Sequence, residues 1–343
     1  MIALFAVLAA QAPILPAHPP DLLKRAHTYS IVAYDSVTGD LGIAVQSKFP
    51  NVGGLVPWAR AGVGAVATQS LSNTDYGEKG LELIARGATA PEAMRIIMRG
   101  DTRPSQRQVG MVDARGNAAS WTGDSTFDWA GGRTGGAGGA GGAGGAGGQT
   151  GGKGQLITGH GYAAQANIMV SDATVRNMAE TFERTRGSLA DRLLAALVAG
   201  QAGGGDRRGM QSAALLVVRA NAGYLGTTDR YIDIRVYDAP DPIKELQRLY
   251  ALHKLYFFTT DSADLLPITP ALQKELEAIL LVEPVNQPQK WLAAPQPSLN
   301  DTFLTALANF MYWENYDVRV RMDGKIDRVV LEDVRKNRKS VRR

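Results

Sequence analysis

A chain of 343 residues that is 45% hydrophobic and 7% aromatic is long enough for two soluble domains. Its formal charge of +4 is small for this length, and much of the excess lies in Lys336-Asn337-Arg338-Lys339-Ser340-Val341-Arg342-Arg343, a run without interleaved aromatics that reads as a solvated end rather than a nucleic-acid surface. The absence of cysteine excludes thiol catalysis, thiolate metal sites and disulfides; His18, His27, His160 and His253 lack ligand spacing, so no metal and no other cofactor is expected.

In chain order, the apolar run of residues 2–10 ends in Ala10-Gln11-Ala12, the small-x-small pattern of an export signal, although no Lys or Arg precedes it. The run is too short to span a membrane as a helix. Residues 1–26 are therefore expected to be a signal peptide and a proline-rich linker, with a periplasmic or secreted mature protein; a cytoplasmic leader is the alternative. Residues 28–35 and 41–47 form two strands around the turn Val37-Thr38-Gly39-Asp40, and residues 62–68 a third. Helical spacing follows over 77–86 and over 90–98, where Pro91 suits a helix start. Residues 107–113 and 118–122 pair as a hairpin across Ala114-Arg115-Gly116-Asn117. Residues 131–154 are mostly glycine, with Gly-Gly-Ala in tandem, and are expected to be a disordered surface insert. Gly147 to Gly154 has the glycine and lysine spacing of a phosphate-binding loop, but Gly154 stands where Ser or Thr is needed and no strand precedes it. Helices are expected over 172–184 and 189–199, a strand over 212–219, and amphipathic helices over 242–255, 270–281, 299–316 and 326–335.

Four segments carry a family resemblance: Thr28-Tyr29-Ser30-Ile31-Val32-Ala33-Tyr34-Asp35, Val56-Pro57-Trp58-Ala59-Arg60-Ala61-Gly62-Val63-Gly64-Ala65-Val66-Ala67-Thr68-Gln69, Arg107-Gln108-Val109-Gly110-Met111-Val112-Asp113 and Gly204-Gly205-Asp206-Arg207-Arg208-Gly209. Together they resemble the bacterial domain of unknown function 1028 family over about residues 27 to 240. Periodicity alone supports a mixed α+β fold. The resemblance implies a four-layer αββα sandwich like that of N-terminal nucleophile hydrolases, over residues 27–240. Asn309-Phe310-Met311-Tyr312-Trp313-Glu314-Asn315 and Gly324 to Glu332 resemble the peptidoglycan-binding-like module that follows this family, which implies a small all-α domain over 241–343. A structural cap or a dimerisation element is the alternative, and a homo-oligomer stays open. Relatives carry Trp-Ala-Gly-His, with a cysteine before it, and then Tyr-x-x-Gln-Gly-Asn. Here Gly132 replaces the histidine, Thr126 or Phe127 stands near the cysteine position, and the pattern resumes at Tyr162-Ala163-Ala164-Gln165-Ala166-Asn167.

Strand alternation puts Thr28, Ser30 and Val32 on one face. Threonine is a poor nucleophile unless a base sits beside it, and a threonine that begins a chain has its own α-amine, of pKa ~8, for that purpose. Plain strand propensity is the other explanation of Thr28. Such chemistry also requires a cation, oxyanion donors and a carboxylate that orients the amine. By order along the resembling fold, Lys48 and Arg60 are the cation candidates or else solvated edge charges. Thr68 and Asn167 are the oxyanion candidates. Asp206 matches the orienting carboxylate, or else closes a loop with Arg207 or Arg208. Removal of a leader after Ala12 leaves residues 13–27 ahead of Thr28, so the mechanism requires a second cleavage between His27 and Thr28. Two function classes follow: an exported hydrolase of a small amide or peptide-like substrate, or a catalytically silent scaffold that binds cell-wall peptidoglycan or small amides.

Overall fold

The computed structural model describes residues 28–136, 148–280 and 302–338. The expected signal peptide and linker lie outside the described residues. The chain divides at Leu246/Gln247 into two units. The first holds β1 (Thr28–Tyr34), β2 (Leu41–Ser47), β3 (Pro57–Arg60), β4 (Gly64–Ser70), α1 (Asp75–Ala85), α2 (Ala90–Arg99), β5 (Arg107–Asp113), β6 (Asn117–Thr122), β7 (Trp129–Thr134), β8 (Thr150–Gly151), β9 (Gln155–His160), β10 (Tyr162–Met169), α3 (Ala173–Arg184), α4 (Leu189–Ala202), β11 (Ser212–Val218) and β12 (Arg230–Val236).

Local chemistry explains the boundaries. In the β1–β2 turn the Asp35 carboxylate accepts from the backbone N–H groups of Val37 and Thr38, and Gly39 takes φ +77°, a left-handed conformation that glycine adopts without strain. Helix α2 begins with a capping box in which Thr89 and Glu92 satisfy each other's backbone N–H groups; Ser188 and Asp191 do the same for α4.

The strands form two antiparallel sheets, one in the order β12-β11-β2-β1-β10-β7-β8 and the other β3-β4-β5-β6-β9. Helices α3 and α4 pack on the seven-stranded sheet and α1 and α2 on the five-stranded one, while β1, β2 and β10 contact β3, β4, β5 and β6. Between the sheets, Val32, Ile43 and Val45 meet Ala65, Ala67, Val112 and Ala118. Val66, Val109 and Met111 instead face Tyr76, Leu81 and Met94 of α1 and α2. Both faces of these strands are covered, so they read as nearly continuous apolar runs.

The second unit, from Gln247, contains most of α5 (Pro242–Phe257), then β13 (Leu265–Pro267), α6 (Pro270–Leu280), α7 (Thr302–Trp313), β14 (Lys325–Asp327) and α8 (Arg328–Arg338). Its core joins Leu255, Leu276, Phe310, Ile326 and Val330. The expectation of an all-α domain is corrected by the antiparallel β13–β14 ribbon, whose three-residue strands are too short for any periodicity to register. No helix among the described residues is long and apolar enough to cross a membrane.

The glycine-rich insert is also narrower than 131–154. Gly131 and Gly132 pair with Ala166 and Gln165 of β10, and Thr150 and Gly151 form β8 against β7. Lys153 and Gly154 lie between two strands, not at the start of a helix, which removes the phosphate-loop geometry. Residues 137–147 lie outside the described residues. Deleting 131–154 removes β7 and β8 from the sheet and is expected to abolish soluble expression. A deletion confined to 137–147 leaves every described strand intact and is expected to shift the melting temperature by no more than a few degrees, since loop-closure entropy changes by only ~0.6 kcal/mol per doubling of length. Equal solubility of the two deletions would show that β7 contributes nothing to the sheet.

Candidate active site

Strand β1 lies between β2 and β10, and Thr28, its first residue, is directly opposite Ser47 on one side and Asn167 on the other. The apolar layer between the sheets gives way at this end to polar side chains. Thr28 Oγ1 lies 3.0 Å from Ser47 Oγ. The Thr28 carbonyl accepts from Gln69 Nε2 at 3.1 Å and from Asn167 Nδ2 at 3.3 Å. Ser30 Oγ donates to Gln69 Oε1 at 2.6 Å and accepts from Gln165 Nε2 at 2.6 Å, so Thr28 and Ser30 do share a face. Gln108 joins the sheets: its Oε1 accepts from Gln69 Nε2 (2.8 Å) and Asn167 Nδ2 (2.9 Å), while its Nε2 donates to the Ala166 carbonyl (2.8 Å) and Thr122 Oγ1 (2.9 Å).

Thr28 is 4% exposed and the other members of this layer 2% or less. Ser120 Oγ, Gln165 Oε1 and Asn167 Oδ1 are buried without a hydrogen-bond partner. Each such atom costs about 1–3 kcal/mol, a cost that proteins retain mainly where function requires it. Two strained backbone positions lie at the same place. Ser70 and Ile168, which follow Gln69 and Asn167, have φ of 67° and 59°, and the β10–β7 pairing breaks register between Asn167 and Met169. Left-handed conformations at non-glycine residues cost about 1–3 kcal/mol each, and a β-branched residue such as Ile168 adopts one rarely.

The loop after α4 closes this end of the sheet. Asp206 bridges to Met169, the Val170 N–H donates to the Gly205 carbonyl, and the Gln211 N–H donates to the Ser47 carbonyl. Asp206 Oδ2 accepts from the Lys48 backbone N–H at 3.1 Å, and the Lys48 ammonium donates to the Met210 carbonyl at 3.1 Å. Arg208 holds Asp206 through its backbone N–H at 2.9 Å and its guanidinium at 3.1 Å, whereas Arg207 turns toward Asp128. Burial first, then the Asp206 and Asp241 carboxylates, push the Tyr29 phenol well above its ordinary range.

Thr28, Lys48, Asn167 and Asp206 are therefore brought to one end of the sheet, and two candidates are not. Arg60 lies at the far end of edge strand β3, opposite Gly64, and its half-exposed guanidinium faces Glu82 of α1 at 3.7 Å. Thr68 has the wrong strand phase: its hydroxyl donates to the Asn73 carbonyl, and Gln69 beside it points between the sheets. Both N–H groups of the Asn167 amide are spent on Thr28 and Gln108, so Asn167 fixes the start of β1 and offers no free oxyanion donor in this arrangement. Sequence reasoning missed Ser47, Gln69, Gln108 and Gln165. Ser47 was within reach, since it follows Ile43 and Val45 at the same period of two.

No three His, Asp or Glu side chains among the described residues come together as metal ligands. Asp206→Asn is expected to lower stability by about 1–3 kcal/mol, because the amide presents a donor where the carboxylate accepted from Lys48 or Arg208. A melting temperature equal to wild type with reduced turnover would instead assign Asp206 to the chemistry.

The model described as a family of unknown function (DUF1028) matches residues 28–143 and 139–246, and the chain belongs to that family. Among solved structures, the chain is similar to protein SPO2555 from Silicibacter pomeroyi, also of the DUF1028 family, at 27% identity and a TM-score of 0.55, over 69% of this chain and 89% of that one. No curated protein matches it.

Proposed function

We propose that the first unit is a four-layer αββα sandwich of the N-terminal nucleophile type and that it hydrolyses an amide or peptide-like bond, with Thr28 as the nucleophile. One observation carries this reading: the first residue of the central strand is a threonine whose side chain faces the polar layer between the sheets and whose carbonyl is held by two buried amide donors. Fixing the carbonyl fixes the Thr28 backbone, so that a freed α-amine and Oγ1 keep a constant geometry, and positioning of this kind is a large part of catalysis. The loop that carries Asp206 is hydrogen-bonded to the Lys48 N–H at the same end of the sheet, where Lys48 and Asp206 remain the cation and carboxylate of this reading. Cleavage between His27 and Thr28 must expose the amine, and export, carried by the apolar run of residues 2–10, gives the setting for processing.

The test is the intact mass of the mature protein from an exporting bacterium, together with Thr28→Ala and an amide-substrate screen. The expected mature chain begins at Thr28, and Thr28→Ala abolishes turnover. A mature chain that still carries residues 13–27 overturns the mechanism.

The silent-scaffold reading is favoured by one observation: both N–H groups of Asn167 are turned on the protein's own groups. On that reading the chain binds cell-wall peptidoglycan or small amides, with the second unit as the wall-binding module. Sedimentation of the full chain with purified peptidoglycan, compared with a control protein, tests it; no retention above the control removes wall binding.

A further inference from the structure

We infer that Ser47 is a positioning residue for the nucleophile: its hydroxyl donates to Thr28 Oγ1 and thereby turns the Thr28 proton toward the α-amine. The inference rests on the nucleophile reading above and adds to it a residue on a second strand.

The placement follows from the sheet. Ser47 is opposite Thr28 in the β1–β2 ladder and opposite Ser212 in the β2–β11 ladder, and its carbonyl accepts from the Gln211 N–H, so its backbone is held on both sides. Its side chain is fully buried and its Oγ lies 3.0 Å from Thr28 Oγ1. Thr28 is β-branched and has few χ1 choices, so the geometry of the pair is stiff. Lys48, adjacent in sequence, directs its ammonium at the Met210 carbonyl, and the Ser47 hydroxyl is the side-chain group seen against Thr28 Oγ1 among the described residues.

A hydroxyl that accepts from Ser47 must send its own proton elsewhere. In the reaction, an Oγ1 lone pair forms the bond to the substrate carbonyl carbon, the π pair moves onto the carbonyl oxygen, and the Thr28 proton passes to the α-amine. When the C–N bond breaks, the departing amine takes that proton, and water then hydrolyses the ester on Thr28. The Ser47 proton stays on Ser47 throughout. Its contribution is largest when negative charge develops on Oγ1, because hydrogen bonds to charged groups are about twice as strong as neutral ones.

A β-lactone probe reads this step without knowledge of the natural substrate. Opening by Oγ1 adds the whole mass of the lactone and leaves an ester that hydroxylamine cleaves, unlike the amide formed by reaction at the α-amine. On wild-type protein, labelling is expected to yield the ester, and Thr28→Ala none. Ser47→Ala is expected to slow the maximal labelling rate about 10- to 100-fold, with half-saturation unchanged within about twofold and the melting temperature within a few degrees of wild type. Ser47→Thr, which keeps the hydroxyl, restores most of the rate. Wild-type labelling at Thr28 together with an unchanged rate in Ser47→Ala overturns the role of Ser47 and leaves the nucleophile reading intact. No ester on the wild type overturns both. If Ser47→Ala does not fold, Ser47→Cys, a weaker donor, decides by the same criterion: slowed labelling supports the inference and an unchanged rate removes it.

Discussion

Gln108→Ala is expected to lower the stability of the first unit by about 3–5 kcal/mol, near the upper end for a single substitution. The side chain makes no apolar contribution comparable to this; the loss comes from what it leaves behind. Asn167 Nδ2 and Gln69 Nε2 each lose an acceptor at Oε1, and the Ala166 carbonyl and Thr122 hydroxyl lose a donor at Nε2. All lie in a layer that water does not reach. A buried group stripped of its partner costs about 1–3 kcal/mol, and interacting groups do not add fully, which sets the range. Denaturant melts of Gln108→Ala and Gln108→Glu are the measurement. Glutamate keeps an acceptor facing Asn167 and Gln69 but brings a carboxylate into a dry layer, so its midpoint is expected to fall at least as far as that of the alanine variant. A midpoint for Gln108→Ala indistinguishable from wild type would mean that the polar layer carries no net stability.

Asp327→Ala is the corresponding change in the second unit, with an expected loss of about 3–5 kcal/mol. Arg319 is only 6% exposed and its guanidinium donates to the Leu255 carbonyl at 2.7 Å, to the Lys254 carbonyl at 2.6 Å and to the Asp327 carboxylate. Removal of the carboxylate leaves a buried cation without a counter-charge. The other carboxylate oxygen accepts from the Val329 N–H at 2.7 Å, so the same substitution also uncaps α8, for about 1 kcal/mol more. Hydrogen exchange of residues 302–338 is expected to lose protection while β1 and β2 keep theirs. Retained protection around α8 would show that the pair is dispensable.

The elements were legible in the sequence where one face is apolar. Helices α1 to α4 fall within a few residues of the expected spans, as do β1, β2, β5 and β11, because Pro91 marks one start and the apolar spacing does the rest; the capping signals at Thr89 and Ser188 stood in the sequence unread. Strand phase was not legible in Gly64-Ala65-Val66-Ala67-Thr68-Gln69. Both faces of β4 are buried, so no polar alternation shows which side of the strand meets the other sheet, and the expectation settled on Thr68 in place of Gln69. Composition misled at Gly131 and Gly132. A run of glycines signals an unpacked loop, yet a Cβ at Gly132 would come within 2.6 Å of Ser120 Oγ and 3.1 Å of the Ala164 carbonyl, so this glycine is what lets β7 lie close to its neighbours. Arg60 was placed near Thr28 by its order along the chain, which says nothing about which end of a strand faces the site.

The amide-rich seam between the sheets also bears on how the first unit reaches its native state. An aliphatic contact is less selective than a hydrogen bond, and a layer built of Val, Ile, Leu and Ala opposes a slip of one sheet past the other only through packing. Gln69, Gln108, Gln165 and Asn167 change that, because a one-residue slip of either sheet leaves several amides unpaired at once inside a dry layer. Collapsed states with the sheets misaligned are thereby pushed up in energy, and the correctly aligned pair is the arrangement in which Gln108 meets Gln69 and Asn167 at once. The seam acts as a key for alignment during assembly as well as a frame for Thr28, and it ties the seven-stranded and five-stranded sheets into one cooperative folding transition.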